Sequence, residues 1–132
     1  MSQVKDDNCP FCNLSAGRII QSDNLVLAIW DGFPISPGHV LILPKRHVGS
    51  IFDATNDEVS SLMRLLNFTK ISLQEKFNPD GYNIGINDGP AAGQTIPHLH
   101  IHLIPRYKSD SLDPRGGIRW IIPEKADYWS KA

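Results

Sequence analysis

The chain has 132 residues, of which 41% are apolar and 20% charged, a composition that fits one globular domain and excludes a disordered or coiled-coil chain. Thirteen basic and fourteen acidic residues leave a net charge of −1, so we expect neither a nucleic-acid-binding nor a membrane-surface protein. No segment approaches the roughly 18 continuous apolar residues of a transmembrane helix. The polar first residues do not resemble a secretory signal, and we therefore expect a cytoplasmic protein.

Two short apolar runs begin the predicted sheet. Residues 25–30 are apolar up to Asp31 and Gly32, and residues 39–43 form a second run that Pro44 ends. Residues 34–38, with two prolines and a glycine, are typical of a loop. We predict two antiparallel strands joined by this loop.

One long amphipathic helix follows. Thr55 and Glu58 have the spacing of a capping box, in which each side chain accepts the other residue's backbone N–H. Apolar residues recur after them at near-helical spacing, at Val59, Leu62, Met63, Leu66, Leu73 and Phe77. The spacing predicts a helix of about five turns that residues 78–81 terminate.

The second half of the chain supplies two more predicted strands, over residues 82–87 and 98–104, with a glycine-rich loop at 88–95 between them. One helix on an antiparallel sheet makes the fold α+β. We predict a single domain over residues 1–132, with a short N-terminal helix or turn, a motif-bearing core at about 8–107 and an irregular C-terminal extension at 108–132.

Three histidines alternate with aliphatic residues in the last predicted strand. Side chains alternate faces along a strand, so His98, His100 and His102 share one face about 6.7 Å apart. The intervening aliphatic side chains, Leu99, Ile101 and Leu103, then point into the core. Three imidazoles on one exposed face indicate a functional site rather than a packing requirement.

Two kinds of chemistry fit such a row: metal binding by neutral imidazoles, and phosphoryl or nucleotidyl transfer by a nucleophilic imidazole. No carboxylate lies within the histidine run, which favours phosphorus chemistry. Gly89 and Gly93 allow backbone N–H groups to approach an anion closely, and Gln94 and Thr95 add side-chain donors.

Cys9 and Cys12 are the two cysteines of the chain, and two residues separate them. This spacing is typical of a thiolate pair that binds one metal ion or undergoes redox chemistry. A reduced pair without a metal, in an N-terminal turn, is the alternative.

The sequence resembles the histidine triad (HIT) family over residues 8–107. The triad motif H-φ-H-φ-H-φ-φ, with φ apolar, spans residues 98–104. Further matching positions are Asp31, Pro37-Gly38-His39-Val40, Pro44-Lys45-Arg46-His47 and Asn87-Asp88-Gly89. The segments at 93–95 and 104–106 resemble the Fhit, or dinucleoside polyphosphate hydrolase, branch more than the Hint branch.

The resemblance implies roles for the histidines. His100 would be the nucleophile that attacks the α-phosphorus of an adenosine nucleotide and forms a covalent nucleotidyl-histidine, from which water releases AMP. The backbone carbonyl of His98 would hold the Nδ1–H of His100. His102 would contact the phosphate, and His39 would lie behind the cluster. Asp31 would hold the ribose hydroxyls.

The resemblance also implies a binding loop and leaves several residues open. Asn87, Gly93 and Gln94 would contact the phosphate or ribose, and Thr95 would assist the leaving group. For other residues both a functional and an ordinary structural role fit: Phe11 and Ile29 (adenine pocket or core), Arg106 and Arg115 (polyphosphate or solvated surface), and Trp120 (a cover over the site or a dimer contact).

Cofactors and partners follow from the same resemblance. Some bacterial HIT proteins hold zinc through two N-terminal cysteines and two histidines, which correspond to Cys9, Cys12, His47 and His98. A polyphosphate substrate could bring Mg²⁺, and the family implies a homodimer whose sheets join. Diadenosine polyphosphates are the first substrate choice and adenosine phosphoramidate the second. A non-catalytic nucleotide-binding module and a metal-binding protein are the alternative classes.

Overall fold

A computed structural model describes residues 4–130, and its centre is a five-stranded antiparallel sheet in the order β1-β2-β3-β5-β4. The strands are β1 (Ile19–Ser22), β2 (Val26–Trp30), β3 (Val40–Pro44), β4 (Gly81–Ile86) and β5 (Ile101–Arg106). The two helices are α1 (Asn56–Phe77) and α2 (Pro123–Ala126), and short 3₁₀ helices cover Ala16–Arg18, Ile51–Asp53, Pro90–Ala92 and Gly117–Ile121. The predicted α+β class is confirmed.

Helix α1 covers one face of the sheet. Its N-terminus has the predicted capping box, in which the Thr55 hydroxyl accepts the Glu58 N–H at 3.0 Å and the Glu58 carboxylate accepts the Thr55 N–H at 2.9 Å. At its C-terminus Asn78 adopts the left-handed conformation, which ends the helix. The buried side of α1 packs against alternate residues of β2, β3 and β5. Leu99, Ile101 and Leu103 belong to this core, as their alternation with the histidines predicts.

The opposite face of the sheet carries a second apolar cluster. Leu27 and Ile29 of β2, and Leu41 and Leu43 of β3, form its sheet side. The N-terminal segment covers them with Cys9 and Phe11, both buried. We call this the histidine face, because His100 and His102 lie on it beside the apolar cluster.

Two strand predictions need correction. Residues 19–22 form an edge strand that pairs with β2 and was not predicted. Its side chains are mostly exposed, so the segment has no apolar pattern. The predicted strand at 98–104 is paired from Ile101 onward, so His98 and His100 precede it. There the backbone turns toward a different partner, and the Leu99 N–H donates to the Val48 carbonyl at 2.7 Å.

The C-terminal extension is more ordered than the predicted irregular segment. Its 3₁₀ helix, Gly117–Ile121, contacts β4, and α2 packs back on that 3₁₀ helix. Arg119 fixes the arrangement by donating to the Ala126 carbonyl at 3.0 Å. Among the helices of residues 4–130, none is both long and apolar enough to cross a bilayer.

Glu58 joins α1 to the segment after β3. Glu58 is 3% exposed, and its carboxylate accepts two hydrogen bonds from Arg46, at 2.8 and 3.1 Å. The Arg46 guanidinium lowers the pKa of Glu58. The stabilisation from this pair is therefore present above the ordinary glutamate pKa and is lost as the pH falls through the lower folded-state pKa.

We expect Glu58→Ala to lower the free energy of unfolding at pH 7 by about 2–4 kcal/mol, because it removes both the buried partner of Arg46 and the carboxylate that accepts the Thr55 N–H in the capping box. Urea denaturation measures the change. Glu75→Ala is the matched control, since Glu75 is an exposed acid on the same helix. Equal effects of the two substitutions would contradict a special role for Glu58.

Candidate active site

The three histidines of the triad are largely covered, contrary to the prediction of an exposed face. His98 is 0% exposed and His100 is also buried, whereas His102 is partly exposed. The Phe11 ring packs edge-on against the two buried histidines, with centroid distances of 5.9 Å to His98 and 5.1 Å to His100. The N-terminal segment thus encloses the inner end of the triad, and solvent reaches it from the His102 end.

The hydrogen bonding of His100 leaves a lone pair on Nε2. Its Nδ1 lies 2.8 Å from the His98 carbonyl oxygen, which can only accept, so Nδ1 carries the proton. The neutral ring then has an unprotonated Nε2, the atom suited to nucleophilic attack. This geometry agrees with the carbonyl contact expected from the sequence.

A second chain of hydrogen bonds fixes the opposite tautomer in His102. The Ile35 N–H donates to His39 Nδ1 at 3.2 Å, so His39 carries its proton on Nε2. That atom lies 3.0 Å from His102 Nδ1, which therefore accepts. The proton of neutral His102 is on Nε2. Neighbouring rings, with centroids 5.2 Å apart, thus present one nucleophilic nitrogen and one hydrogen-bond donor.

Burial keeps His39 and His102 neutral. The pKa of His102 is lowered to about 4, first by desolvation and then by the nearby His100 and His39, while Asp31 acts in the opposite direction. Desolvation also lowers the pKa of His39. At neutral pH the hydrogen-bond chain therefore keeps the tautomers described above.

Asp31 lies beside this histidine pair. One carboxylate oxygen, Oδ2, is 3.2 Å from His39 Nε2 and 4.0 Å from His102 Nδ1, and the other accepts the Phe33 N–H at 2.8 Å. The same three side chains could hold a metal ion. Even without a metal ion, the proton on His39 Nε2, shared between Asp31 Oδ2 and His102 Nδ1, explains why these atoms lie close together.

Gln94 organises the glycine-rich loop. Its side-chain oxygen accepts the Gly89 N–H at 2.8 Å, and its amide nitrogen donates to the carbonyls of Gly49 and Ile96 at 2.9 and 3.1 Å. Gly89 and Gly93 both have positive φ, of 92° and 93°, a conformation that favours glycine. The Gln94 side chain therefore shapes the loop through three backbone contacts, and its predicted phosphate contact stays a prediction.

The other residues predicted for the site have different surroundings in the structure. Asn87 is half-buried at the end of β4 and Thr95 is exposed in the loop before the triad. Phe11 and Ile29 are buried in the second apolar cluster, as the core alternative requires. Both arginines pair with nearby aspartates, Arg106 with Asp110 at 2.7 Å and Arg115 with Asp113 at 2.9 Å.

Two cysteines and two histidines meet at the closed end of the triad. The two histidine Nδ1 atoms, of His47 and His98, are 3.3 Å apart. Cys12 Sγ is 3.4 Å from His47 Nδ1 and 3.6 Å from His98 Nδ1, and Cys9 Sγ is 3.5 Å from His98 Nδ1. A tetrahedron with metal–sulfur bonds of ~2.3 Å and metal–nitrogen bonds of ~2.05 Å has edges of about 3.3–3.8 Å. The four distances above fall in or near this range, and all four donor atoms lie within 4.8 Å of one another.

The protonation of these groups also suits a cation. His98 Nε2 lies 2.8 Å from the Pro44 carbonyl and must donate to it, which leaves a lone pair on Nδ1. The Asp6 N–H lies 3.4 Å from Cys12 Sγ and donates toward it. Burial raises the pKa of the Cys9 thiol, so its thiolate needs a nearby positive charge.

Sequence reasoning missed the backbone contacts that set the tautomers of the histidines. The Ile35 N–H and the Pro44 carbonyl, which set the tautomers of His39 and His98, are backbone groups with no residue signature. The prolines around them were the available signal. Pro34 and Pro37 mark an irregular loop there, which leaves a backbone N–H unpaired within the sheet.

Comparison with known proteins identifies the family. The HIT domain matches residues 15–109, so the chain belongs to the HIT domain family. An asymmetrical bis(5'-nucleosyl)-tetraphosphatase of Schizosaccharomyces pombe is 44% identical over 77 residues, 58% of this chain and 42% of the relative. A bis(5'-adenosyl)-triphosphatase of Saccharomyces cerevisiae is 39% identical over 97 residues, 73% of this chain and 44% of the relative. The matched region spans less than half of each yeast protein.

A solved structure agrees with the fold. A zinc-bound histidine triad family protein from Mycobacterium smegmatis superimposes with a TM-score of 0.72 at 34% identity, covering 80% of each chain. The family assignment from the sequence is thereby confirmed. Relatives of this chain include nucleotide hydrolases, which supports a hydrolase role.

We expect His102 to remain neutral, as the Nε2–H tautomer, down to a pH near 4, because burial and the two adjacent imidazoles disfavour its charged form. Long-range ¹H–¹⁵N NMR spectra recorded across pH 3.5–8 distinguish the tautomers. His39→Ala should raise the pKa of His102 toward the ordinary value of about 6.5, since it removes both cover and a neighbouring imidazole. A wild-type His102 that titrates near 6.5 would contradict the assignment.

Proposed function

We propose that this protein hydrolyses nucleotides of the type in which AMP is joined to a leaving group through phosphorus, with diadenosine polyphosphates as the preferred substrates. The observation that carries the proposal is the pairing of tautomers: His100 presents a lone pair on Nε2 beside a His102 whose Nε2 carries a proton. An imidazole nucleophile and a hydrogen-bond donor to phosphate oxygen are the two groups that nucleotidyl transfer requires. The names of the two yeast relatives support the choice of substrate.

The first step forms a covalent intermediate. His100 Nε2 attacks the α-phosphorus, a phosphorus–nitrogen bond forms, and the bond from phosphorus to the leaving-group oxygen breaks. The ring becomes cationic, and the His98 carbonyl on its Nδ1–H stabilises that charge. His102 Nε2–H donates to a non-bridging oxygen as charge develops there.

The second step returns the enzyme to its starting state. Water attacks the same phosphorus, the phosphorus–nitrogen bond breaks, and AMP leaves with the water oxygen. One proton of that water passes to the phosphate or to solvent, and His100 Nε2 recovers its lone pair. The N–H groups of Gly89 and Gly93 are already bonded, to the Gln94 side chain and the Pro90 carbonyl, so the two glycines would shape the 88–95 loop beside the phosphate rather than donate to it.

Binding of the AMP portion rests on residues around the histidines. Asp31, which contacts His39 at 3.2 Å, would accept hydrogen bonds from the ribose hydroxyls, as the family resemblance implies. Asn87, Gly93 and Thr95 would border the phosphate from the loop side, as the family resemblance implies. A polyphosphate would arrive with Mg²⁺ as its counterion, which the chemistry above does not require.

We expect His100→Ala to reduce AMP release from diadenosine tetraphosphate by at least about 10³-fold, a barrier increase of about 4 kcal/mol, because the nucleophile is lost. Product analysis by chromatography measures the rate, and calorimetry should show nucleotide affinity within about threefold of wild type. His102→Asn is the comparison, because it removes the phosphate donor and retains the nucleophile. Acid-labile radioactivity from α-labelled substrate should attach to wild type and His102→Asn but not to His100→Ala.

Residual activity above a tenth of wild type in His100→Ala would exclude His100 as the nucleophile. Tight binding without any turnover by wild type, over a panel that includes adenosine phosphoramidate, would instead favour the non-catalytic nucleotide-binding alternative. Preference for the phosphoramidate would favour a Hint-like activity. The panel therefore separates the enzyme classes.

We also propose that Cys9, Cys12, His47 and His98 bind one structural Zn²⁺. The edge lengths of the cluster, the lone pair on His98 Nδ1 and the zinc in the mycobacterial relative support this assignment. Bound zinc would supply the positive charge that the two thiolates need. Through His98 it would fix the carbonyl that orients His100.

Metal analysis of protein purified without chelator should find about one zinc per chain. His47→Asn, and the double variant Cys9→Ser/Cys12→Ser, should lose the metal and melt at least about 5 °C lower. His39→Asn is the matched control, because His39 belongs to the Asp31–His102 group and should keep the zinc. Metal-free wild type with unchanged melting in the cysteine double variant would refute the site.

The exposed edge of the sheet supports a homodimer. Strand β4 has no partner on its outer side among the described residues, and its Ile84 and Ile86 are partly exposed. Phe68 and Ile71 of α1 add exposed apolar surface. Unpaired edge strands beside apolar surface favour association. We propose that two copies join through this edge into one continuous sheet.

A further inference from the structure

A pocket of about 860 Å³ lies on the histidine face beyond His102. Its volume falls in the range of small-molecule binding sites, roughly 300–1,000 Å³. One wall is the sheet, one is the loop of residues 35–37, and one is the C-terminal extension. We call it the extension pocket. The mechanism above does not use it.

The walls of the extension pocket begin at residues that border the catalytic histidines. Side chains alternate along β5, so Ile104, which lines the pocket, follows His102 on the same face. Gly85 pairs with His102 across the sheet, and a Cβ built on Gly85 would lie 3.4 Å from the Ile118 side chain. The 3₁₀ helix of the extension thus covers the sheet position adjacent to His102. Ile35, in the loop wall, is the residue whose N–H contacts His39.

The position of the pocket indicates which part of a substrate would reach it. In the sheet order β1-β2-β3-β5-β4, Asp31 follows β2 on one side of β5, and the extension covers β4 on the other side. The AMP portion is assigned to the Asp31 side. The group on the far side of the attacked phosphorus therefore extends toward β4 and the pocket.

The charges of the lining disfavour phosphate. Its charged residues are one arginine and three aspartates: Arg106, Asp110, Asp113 and Asp127. The Arg106 guanidinium is already bonded to Asp110, at 2.7 and 2.8 Å, and to Asn83 at 2.6 Å. Arg106, the basic residue of the lining, is thus already paired with an acid. A phosphate in the pocket would therefore find little favourable electrostatic interaction.

The apolar part of the lining fits a flat aromatic ring. Trp120 lines the pocket with 43% of its surface exposed, and its Nε1–H donates to the Arg115 carbonyl at 2.7 Å, which fixes the indole plane. Ile118 and Ile121 lie beside it in the same 3₁₀ helix. An indole held in place beside aliphatic side chains is a stacking surface for a nucleobase.

We propose that the extension pocket binds the second nucleobase of a dinucleoside polyphosphate, stacked on Trp120, while the phosphates remain beside the histidines and the glycine-rich loop. The proposal rests on the proposed hydrolase function and specifies its leaving-group site. It predicts that the C-terminal extension selects substrates by the leaving group and not by the AMP portion.

The test compares two substrates that share AMP and differ in the leaving group. Diadenosine tetraphosphate carries a second adenine, whereas adenosine phosphoramidate releases only ammonia. Trp120→Ala should lower kcat/KM for the tetraphosphate about tenfold and change that for the phosphoramidate less than twofold. Trp120→Phe, which retains a ring, should recover most of the loss. Ile122→Ala is the matched control, because Ile122 is exposed in the same extension but does not line the pocket.

Equal losses for both substrates in Trp120→Ala, or no loss for either, would overturn the proposal. A binding measurement separates this result from a failure of the hydrolase function. In the His100→Ala background, calorimetry should show diadenosine tetraphosphate binding more tightly than adenosine tetraphosphate, and Trp120→Ala should abolish the difference. Equal affinities for these two nucleotides would refute the base site whether or not the wild type turns over either substrate.

Discussion

His98 connects β3, the cysteine–histidine cluster and the proposed nucleophile His100, although it is completely buried and reaches no solvent. Its Nε2–H is bound by Pro44 of β3, its Nδ1 faces the cysteine–histidine cluster, and its carbonyl oxygen binds His100 Nδ1. Each contact constrains the next, because the ring orientation that satisfies Pro44 also points Nδ1 at the cluster. Burial lowers the pKa of His98, which keeps the ring neutral and this tautomer in place.

This arrangement explains how identical imidazoles obtain different roles. All three triad side chains are chemically equivalent in the sequence, and the backbone distinguishes them. A carbonyl beside His100 exposes its Nε2 lone pair, whereas a relay from the Ile35 N–H through His39 places the proton on Nε2 of His102. Because a neutral imidazole has one proton, fixing one nitrogen decides the chemistry of the other.

The sequence predicted the parts of the molecule that depend on local patterns. The capping box of α1, the inward-facing Leu99, Ile101 and Leu103, and the cysteine pair have clear signatures of spacing. The grouping of His47 and His98 with the cysteines came from the family resemblance alone. Strand β1 lacked such a signature, because it lies at the sheet edge with mostly exposed side chains. The burial of His100 was missed since its cover, Phe11, comes from a segment 89 residues earlier.

The cysteine–histidine cluster also bears on the order in which the molecule folds. Cys9 and His98 are separated by 89 residues, so their contact closes a loop that contains most of the sheet and all of α1. The entropy lost on closing so long a loop must be offset by contacts formed beforehand. We therefore expect the N-terminal segment to dock late, onto a sheet that is already assembled. During synthesis on the ribosome, its two thiols would leave the exit tunnel well before their histidine partner and remain open to oxidation until His98 follows.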